Sequence, residues 1–153
     1  MNRIIIICLL LLPVAGFSQN FIGKNKAQVK KELEQQQKKN AALTINLVDN
    51  DSTLVYSYKD EQVFPVDFIY GFDKAGKCRS EKVVSSCDRC LKKYLNALLA
   101  QKKYDWKKIN ENQYVSNYEE QLMIELPGDS KDISYSILRT DWSKEMYKLL
   151  TGN

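Results

Sequence analysis

The chain has 153 residues, a formal net charge of +4 and no histidine. The missing imidazole excludes Ser-His and Cys-His nucleophile pairs and removes the commonest ligand of zinc and copper. The mild basic excess is spread along the chain, which argues against a nucleic-acid partner, because a nucleic-acid site concentrates its basic residues. The six glycines are scattered singly, so no glycine-rich phosphate loop is available. We therefore expect no cofactor and no metal ion.

The first 18 residues predict a secretory signal peptide. Arg3 supplies the positive start, and an apolar run extends from Ile4 to Leu12. Gly16 and Ser18 occupy the −3 and −1 places of a cleavage site before Gln19. The apolar run is shorter than the ~20 residues that a membrane span needs. The sequence therefore predicts a periplasmic or secreted protein whose mature chain has no membrane span.

The mature chain, residues 19–153, is expected to form one domain that begins with a helix. Asn25 and Gln28 are spaced for a capping box, which predicts a helix from about residue 26 to 38. The segment Gly23–Val29 resembles the helix start of the SmpA/OmlA outer-membrane assembly lipoproteins and of β-lactamase-inhibitor-like domains. Asn25 stands where those families carry serine or threonine, and the Gly-Pro that commonly follows is missing. The resemblance implies a similar fold and, as a functional alternative, a module that docks on another protein.

Strand patterns follow this helix. Four strands are predicted, joined as two hairpins, over residues 42–48, 53–59, 65–73 and 78–84. Gly76 suits the left-handed position of the second hairpin turn. The register expected from that turn pairs Phe72 with Cys78, Tyr70 with Ser80, and Phe68 with Lys82. Phe68, Tyr70 and Phe72 then share one face of the sheet, because strand side chains alternate.

The strongest helical pattern runs from Ser86 to about Lys103. After it, the sequence predicts four short strands and a final helix, over residues 105–109, 113–117, 121–126, 133–139 and 143–150. The final helix is expected to pack Met146, Leu149 and Leu150 on the domain. Strands joined by turns pair antiparallel, which predicts an α+β fold with two main helices and a short C-terminal one. A similarity between residues 51–58 and 129–136 suggests two related α-β-β-β halves.

Cys87 and Cys90 form a C-x-x-C pair at the start of the second predicted helix, the local layout of thiol–disulfide oxidoreductases. A helix N-terminus and Arg89 would stabilise a thiolate there. The pair is flanked by hairpins, whereas a thioredoxin-like fold needs parallel β-α-β units and a cis-proline that this sequence does not supply. Both cysteines also share the apolar stripe of Leu91 and Tyr94, so we expect them to face the core. These patterns favour a structural disulfide over a catalytic one.

Cys78 is the one remaining cysteine of the predicted mature chain, residues 19–153. If residues 78–84 are extended, Cys78 lies about 20 Å from the end of that strand at ~3.3 Å per residue. A disulfide needs Cα atoms within roughly 7 Å. We therefore expect a Cys87–Cys90 bond with Cys78 free, unless the strand is short and the helix crosses it obliquely. An intermolecular bridge through Cys78 stays open.

Aromatic residues in the second half of the chain are candidates for a binding surface: Tyr104, Trp106, Tyr114, Tyr118 and Trp142. Aromatic residues on strands are more often core or cross-strand pairs. The whole chain resembles small exported single-domain proteins of Gram-negative bacteria. The leading hypothesis is an exported, non-enzymatic binding or envelope-associated protein, stabilised by a disulfide, whose partner is another envelope or secreted protein. The alternatives are a periplasmic redox protein that attacks with Cys87 and resolves with Cys90, and a docking or inhibitor-like module.

Overall fold

The computed structural model describes residues 20–40, 44–60, 63–128 and 133–152. The predicted signal peptide lies outside these ranges, as do residues 129–132 of the similarity noted above. Three helices occur in the described chain: α1 (Lys26–Lys39), α2 (Asp88–Leu99) and α3 (Lys144–Thr151). The strands are β1 (Thr44–Asp49), β2 (Thr53–Asp60), β3 (Val63–Phe72), β4 (Cys78–Ser85), β5 (Lys107–Asn110), β6 (Gln113–Val115), β7 (Leu122–Glu125) and β8 (Ser134–Arg139).

All eight strands form one antiparallel sheet in the order β1-β2-β3-β4-β8-β7-β6-β5. This confirms the predicted α+β fold. Each half is a helix followed by a four-stranded meander, and the last strands of the two halves, β4 and β8, pair at the centre. The similarity between residues 51–58 and 129–136 relates β2 to β8, which are the second and fourth strands of their halves. It therefore does not mark equivalent positions.

The β3–β4 hairpin differs from the predicted register by one residue. Phe72 pairs with Cys78 as expected, but Gly71 pairs with Ser80, so Arg79 is an extra residue in β4 that forms a β-bulge. A Cβ atom on Gly71 would lie 2.4 Å from the Oγ of Ser80, so a larger residue at this position of β3 would require the Ser80 side chain to turn away.

Beyond the bulge, the two predicted pairings of Tyr70 with Ser80 and Phe68 with Lys82 are wrong. Tyr70 pairs with Glu81, and Phe68 pairs with Val83. The predicted common face of the β3 aromatics is confirmed, because Phe68 and Tyr70 are buried in the core and Phe72 packs against it.

Helices α1 and α2 cover one face of the sheet, which we call the inner face. They bury Val29 and Leu33 of α1, and Leu91 and Leu98 of α2, each contributing roughly 1.5–3 kcal/mol. Alternate strand residues meet them from the sheet: Leu54, Tyr56, Val66, Phe68, Tyr70, Val83, Tyr135 and Ile137. The opposite side of the central strands, which we call the open face, carries Val55, Asp67, Ile69, Lys82, Val84, Ser134, Ser136 and Leu138, all partly or fully exposed.

The capping signals in the sequence predicted the start of α1 correctly, but the end of α2 differs from the prediction. The capping box of Asn25 and Gln28 is present, which confirms the predicted start of α1. Helix α2 is shorter than predicted: it ends at Leu99, and the chain then forms a 3₁₀ turn over Lys102–Tyr104 that ends at Asp105 with a positive φ of 46°.

The prediction that α3 packs its aliphatic residues on the domain is wrong. Met146, Leu149 and Leu150 are exposed, Leu149 by 81%. The contact with the domain comes instead from Tyr147, whose ring centroid lies 5.7 Å from that of Tyr118.

Candidate functional site

The C-x-x-C pair is a disulfide. The Sγ atoms of Cys87 and Cys90 lie 2.03 Å apart, as predicted, and Cys78 is buried and free. Cys87 is the N-cap of α2, and only 8% of its surface is exposed, whereas Cys90 is half-buried. In a redox protein of the predicted kind Cys87 would have to be the accessible, attacking thiol. The geometry therefore favours a structural disulfide.

Hydrogen bonds within the chain tie this disulfide to the end of the sheet. The amide of Cys87 donates to the Oγ of Ser85 at 3.1 Å, and that hydroxyl donates to the carbonyl of Pro65 at 2.9 Å. The amide of Cys90 donates to the Sγ of Cys87 at 3.1 Å. Because Ser85 is itself buried, these bonds connect β3, β4 and α2 where they meet.

Three of the five candidate aromatic residues belong to the hydrophobic core or its margin. Tyr104 is buried, and its ring centroid lies 5.2 Å from that of Trp106. The indole nitrogen of Trp106 donates to the carbonyl of Leu98 at 3.1 Å, which fixes the ring against the end of α2. Tyr114 packs at the core margin.

The other two candidates, Tyr118 and Trp142, lie together. They line a narrow crevice, too tight to admit a water molecule, that Tyr147 of α3 also borders. The crevice docks the C-terminal helix on the domain, since Tyr118 and Tyr147 are in ring contact. The five aromatic residues therefore form a core pair, a core-margin residue and a crevice, and do not share one surface.

Glu81 is the most unusual side chain of the inner face. It lies on the central strand β4 between Tyr70 of β3 and Ile137 of β8, and it is only 5% exposed. Its Oε2 atom has no hydrogen-bond partner among the described residues. Burial raises the pKa of its carboxyl group from 4.5 to about 8, because a charged carboxylate is poorly solvated there. Glu81 is therefore a neutral acid at pH 7.

Glu81 in turn acts electrostatically on three other acidic groups of the core. Burial, and next the nearby Glu81, raise the pKa of the Cys78 thiol to about 12. The same two causes hold the pKa values of Tyr70 and Tyr135 well above the usual range of tyrosine. A thiol with so high a pKa is inert, so this cluster holds neutral groups in the core and offers no nucleophile.

The open face carries charges of a different kind. Lys82 is exposed and Asp67 is partly exposed. Within the described ranges, neither side chain makes an ion pair or a hydrogen bond. With respect to the described residues, both therefore keep their bonding capacity for another molecule.

These charges belong to a four-residue unit that we call the β3–β4 square: Asp67, Ile69, Lys82 and Val84. Asp67 pairs directly with Val84, and Ile69 pairs directly with Lys82. The two charged residues consequently occupy one diagonal of the square and the two aliphatic residues the other. Diagonal neighbours in an antiparallel pair lie about 7–8 Å apart.

Three of the four cross-strand neighbours of this square are serines. Pairing places Ser57 beside Asp67, Ser136 beside Lys82 and Ser134 beside Val84, whereas Val55 lies beside Ile69. The square therefore combines two charges and two aliphatic side chains with a mostly small border.

Sequence reasoning missed this unit because of the bulge at Arg79. The predicted register set Lys82 opposite Phe68, on the aromatic face, whereas the observed pairing with Ile69 turns it to the open face. One signal in the sequence could have placed Lys82 on the open face. Side chains alternate along a strand, so Lys82 must point away from the face on which its neighbours Glu81 and Val83 are buried.

Two further kinds of site, a metal centre and a membrane-spanning helix, are not found among the described residues. In the described parts of the chain, no three carboxylate or thiol side chains converge closely enough to hold a metal ion. Among the helices of those same parts, none has the length and apolar character to cross a bilayer. No protein-family model, curated protein or solved structure matches this chain.

Proposed function

We propose that this protein is an exported, non-enzymatic binding module that holds its partner on the open face of its sheet. The observation that carries this proposal is the β3–β4 square, in which Lys82 and Asp67, unpaired among the described residues, lie beside partly exposed aliphatic side chains. An antiparallel sheet with one solvated face ordinarily turns polar residues outward. Here the outward positions also include Val55, Ile69 and Leu138, which are partly exposed, and exposed apolar surface is typical of interaction sites.

Two features support export. The first 18 residues carry the charge, apolar run and small-residue pattern of a signal peptide. The Cys87–Cys90 disulfide adds to this, because disulfides persist in oxidising compartments and are rare in the cytosol. An envelope or secreted protein is therefore the class of partner that the open face would meet.

Site-specific photo-cross-linking in the producing cells tests the binding face. A photoreactive residue replaces Leu138 or, as a second open-face position, Val55. The matched control replaces Lys93, an exposed lysine of α2 on the helix-covered side. We expect the same discrete adduct from both open-face positions and none from Lys93. Adducts of equal yield from all three positions, or from Lys93 alone, would contradict the proposal.

A redox function is the second candidate, and one observation favours it. The amide of Cys90 donates to the Sγ of Cys87 at the first turn of α2, an arrangement that would stabilise a thiolate once the bond is reduced. Reduction of an exogenous protein disulfide by dithiothreitol, which supplies the electrons, is compared between the wild type and Cys87→Ser/Cys90→Ser and separates the two functions. The binding proposal predicts no catalysed reduction by either protein, whereas turnover lost in the variant would establish the redox function.

A further inference from the structure

We infer that the open face takes a second copy of this chain, paired face to face through the β3–β4 square. This inference rests on the proposed function, because it uses the same binding surface and names the occupant. The chemistry required of that occupant is specific: a carboxylate opposite Lys82, an ammonium group opposite Asp67, and aliphatic side chains between them. The square itself supplies all of these.

The square is complementary to itself under a two-fold rotation. In a two-fold interface, residue i contacts residue j of the mate, and j contacts i. An axis that lies between the two sheets, along the Ile69–Val84 diagonal, sets Lys82 above Asp67 of the other copy and Asp67 above Lys82. The same rotation sets Ile69 on Ile69 and Val84 on Val84. Two ion pairs then enclose an apolar contact, and no like charges meet.

The residues around the square allow two sheets to approach. Ser57, Ser134 and Ser136 border it, and Gly71 and Ser80 follow along the strands. Packed sheets lie about 10 Å apart with interdigitating side chains. Larger side chains at these positions would hold the faces apart, so the mostly small border suits another flat sheet better than it suits a pocket for a small molecule.

The size of the contact places it among weak interfaces. An axis along this diagonal crosses the strands of the two sheets at roughly 70°, near the orthogonal class of sheet packing. The central strands then overlap over about 20 Å in each direction, which buries about 1,000 Å² in total, the size of a transient contact. Buried area alone does not set affinity, but exposed ion pairs add little to a contact of this size, so we expect a reversible dimer with a Kd in the micromolar range.

Sedimentation equilibrium of the disulfide-bonded protein, up to about 500 µM, tests this inference. The wild type should reach twice the mass of the chain. Lys82→Asp and Asp67→Lys should each raise the dimer Kd by at least about 10-fold, because each juxtaposes like charges. The double variant Lys82→Asp/Asp67→Lys exchanges the two charges and should return the Kd to within about 5-fold of the wild type. Lys93→Asp, on the exposed side of α2, is the control and should dimerise as the wild type does.

The possible outcomes separate this inference from the proposed function. A monomeric wild type, or a dimer that ignores both single reversals, overturns the self-pairing. A folded double variant that stays monomeric overturns it as well, and thermal melts establish that each variant is folded. If the wild type is monomeric but the adduct from position 138 contains a different protein, the self-pairing is wrong and the proposed function stands. An adduct that contains two copies of this chain supports both.

Discussion

The disulfide end of α2 and the β3–β4 square lie on the same central strands, yet they differ in how their polar atoms are used. At the disulfide, Cys87, Ser85 and Cys90 bond to one another and to the backbone of β3. In the square, Lys82 and Asp67 bond to nothing within the described chain. The feature that resembles a catalytic motif is internally satisfied, whereas an ordinary stretch of strand holds the unused bonding capacity.

Glu81 adds a third case to this comparison. It precedes Lys82 on β4, but it lies on the inner face of the sheet, where its Oε2 atom is buried and has no partner among the described residues. An unpaired charge in solvent is available to a partner, but an unpaired acid in the core can only change stability. The ten residues 81–90 therefore contain three groups with different roles: Glu81, Lys82 and the Cys87–Cys90 disulfide.

The largest effect that we predict concerns Glu81. Below pH 4.5 both folded and unfolded chains hold this proton; as the pH rises toward 8 the unfolded chain releases it and the folded chain keeps it. The free energy of unfolding should therefore fall with rising pH across this window, by about 4 to 5 kcal/mol from this group, at about 1.36 kcal/mol per pKa unit. Glu81→Gln should remove this fall, and urea titrations between pH 5 and 9 measure it.

The control for that experiment is Glu111→Gln, in the exposed turn between β5 and β6. It should keep the wild-type pH profile. An unchanged profile in Glu81→Gln would show that Glu81 is solvated or paired, and the contrast between the two faces of β4 would be lost.

Removing the disulfide should give the next largest effect. Cys87→Ala/Cys90→Ala frees a very short loop, so the expected loss in the free energy of unfolding is about 2 kcal/mol. Thermal and denaturant unfolding measure this loss, and Cys78→Ala separates it from the removal of a buried thiol. If the double variant lost all binding while its stability was unchanged, the disulfide would have a functional role that the geometry does not indicate.

Ser85→Ala should weaken the same region without touching sulfur. It removes the acceptor of the Cys87 amide and the donor to the Pro65 carbonyl, and we expect a loss of about 1 to 2 kcal/mol. Ser86→Ala, at the exposed neighbouring position, is the matched control. Equal stability of the two variants in denaturant titrations would contradict the role assigned to Ser85.

Substitutions in the square should have the smallest effect on stability. Lys82→Ala removes a side chain without partners in the described chain, so the free energy of unfolding should change by less than about 0.5 kcal/mol. When the photoreactive residue stands at position 138, the same substitution should abolish the open-face adduct. A large destabilisation would mean that Lys82 belongs to the architecture of the sheet.

The sequence predicted the fold well because its signals are local. The capping box at Asn25, the turn at Gly76 and strand alternation led to the observed order of helices and strands. The β-bulge at Arg79 has no such local signal. It is accompanied by the close approach of Gly71 to the Ser80 side chain on the opposite strand of the hairpin. One inserted residue exchanges the faces of every position beyond it, which is why the open-face position of Lys82 was not found.

The candidate site was harder to predict for a related reason. Cys87 and Cys90 are recognisable from their spacing, and their disulfide was predicted. Asp67 and Lys82 form a unit only through cross-strand pairing, because they stand 15 positions apart along the chain. The exposure of Leu149 and the docking of Tyr147 likewise depend on where α3 meets the crevice, which its amphipathic pattern does not specify.

The central claim is that the open face, and not the cysteine pair, carries the function, and thiol mapping of the folded protein tests it most directly. Alkylation before and after mild reduction, followed by mass spectrometry, gives the state of each cysteine. We predict that Cys87 and Cys90 stay bonded under mild dithiothreitol until the protein is unfolded, and that Cys78 is protected until the same point. A Cys87 that is reduced readily in the folded protein and alkylates quickly near about pH 6 would contradict the claim and would make thiol–disulfide exchange the function of this protein.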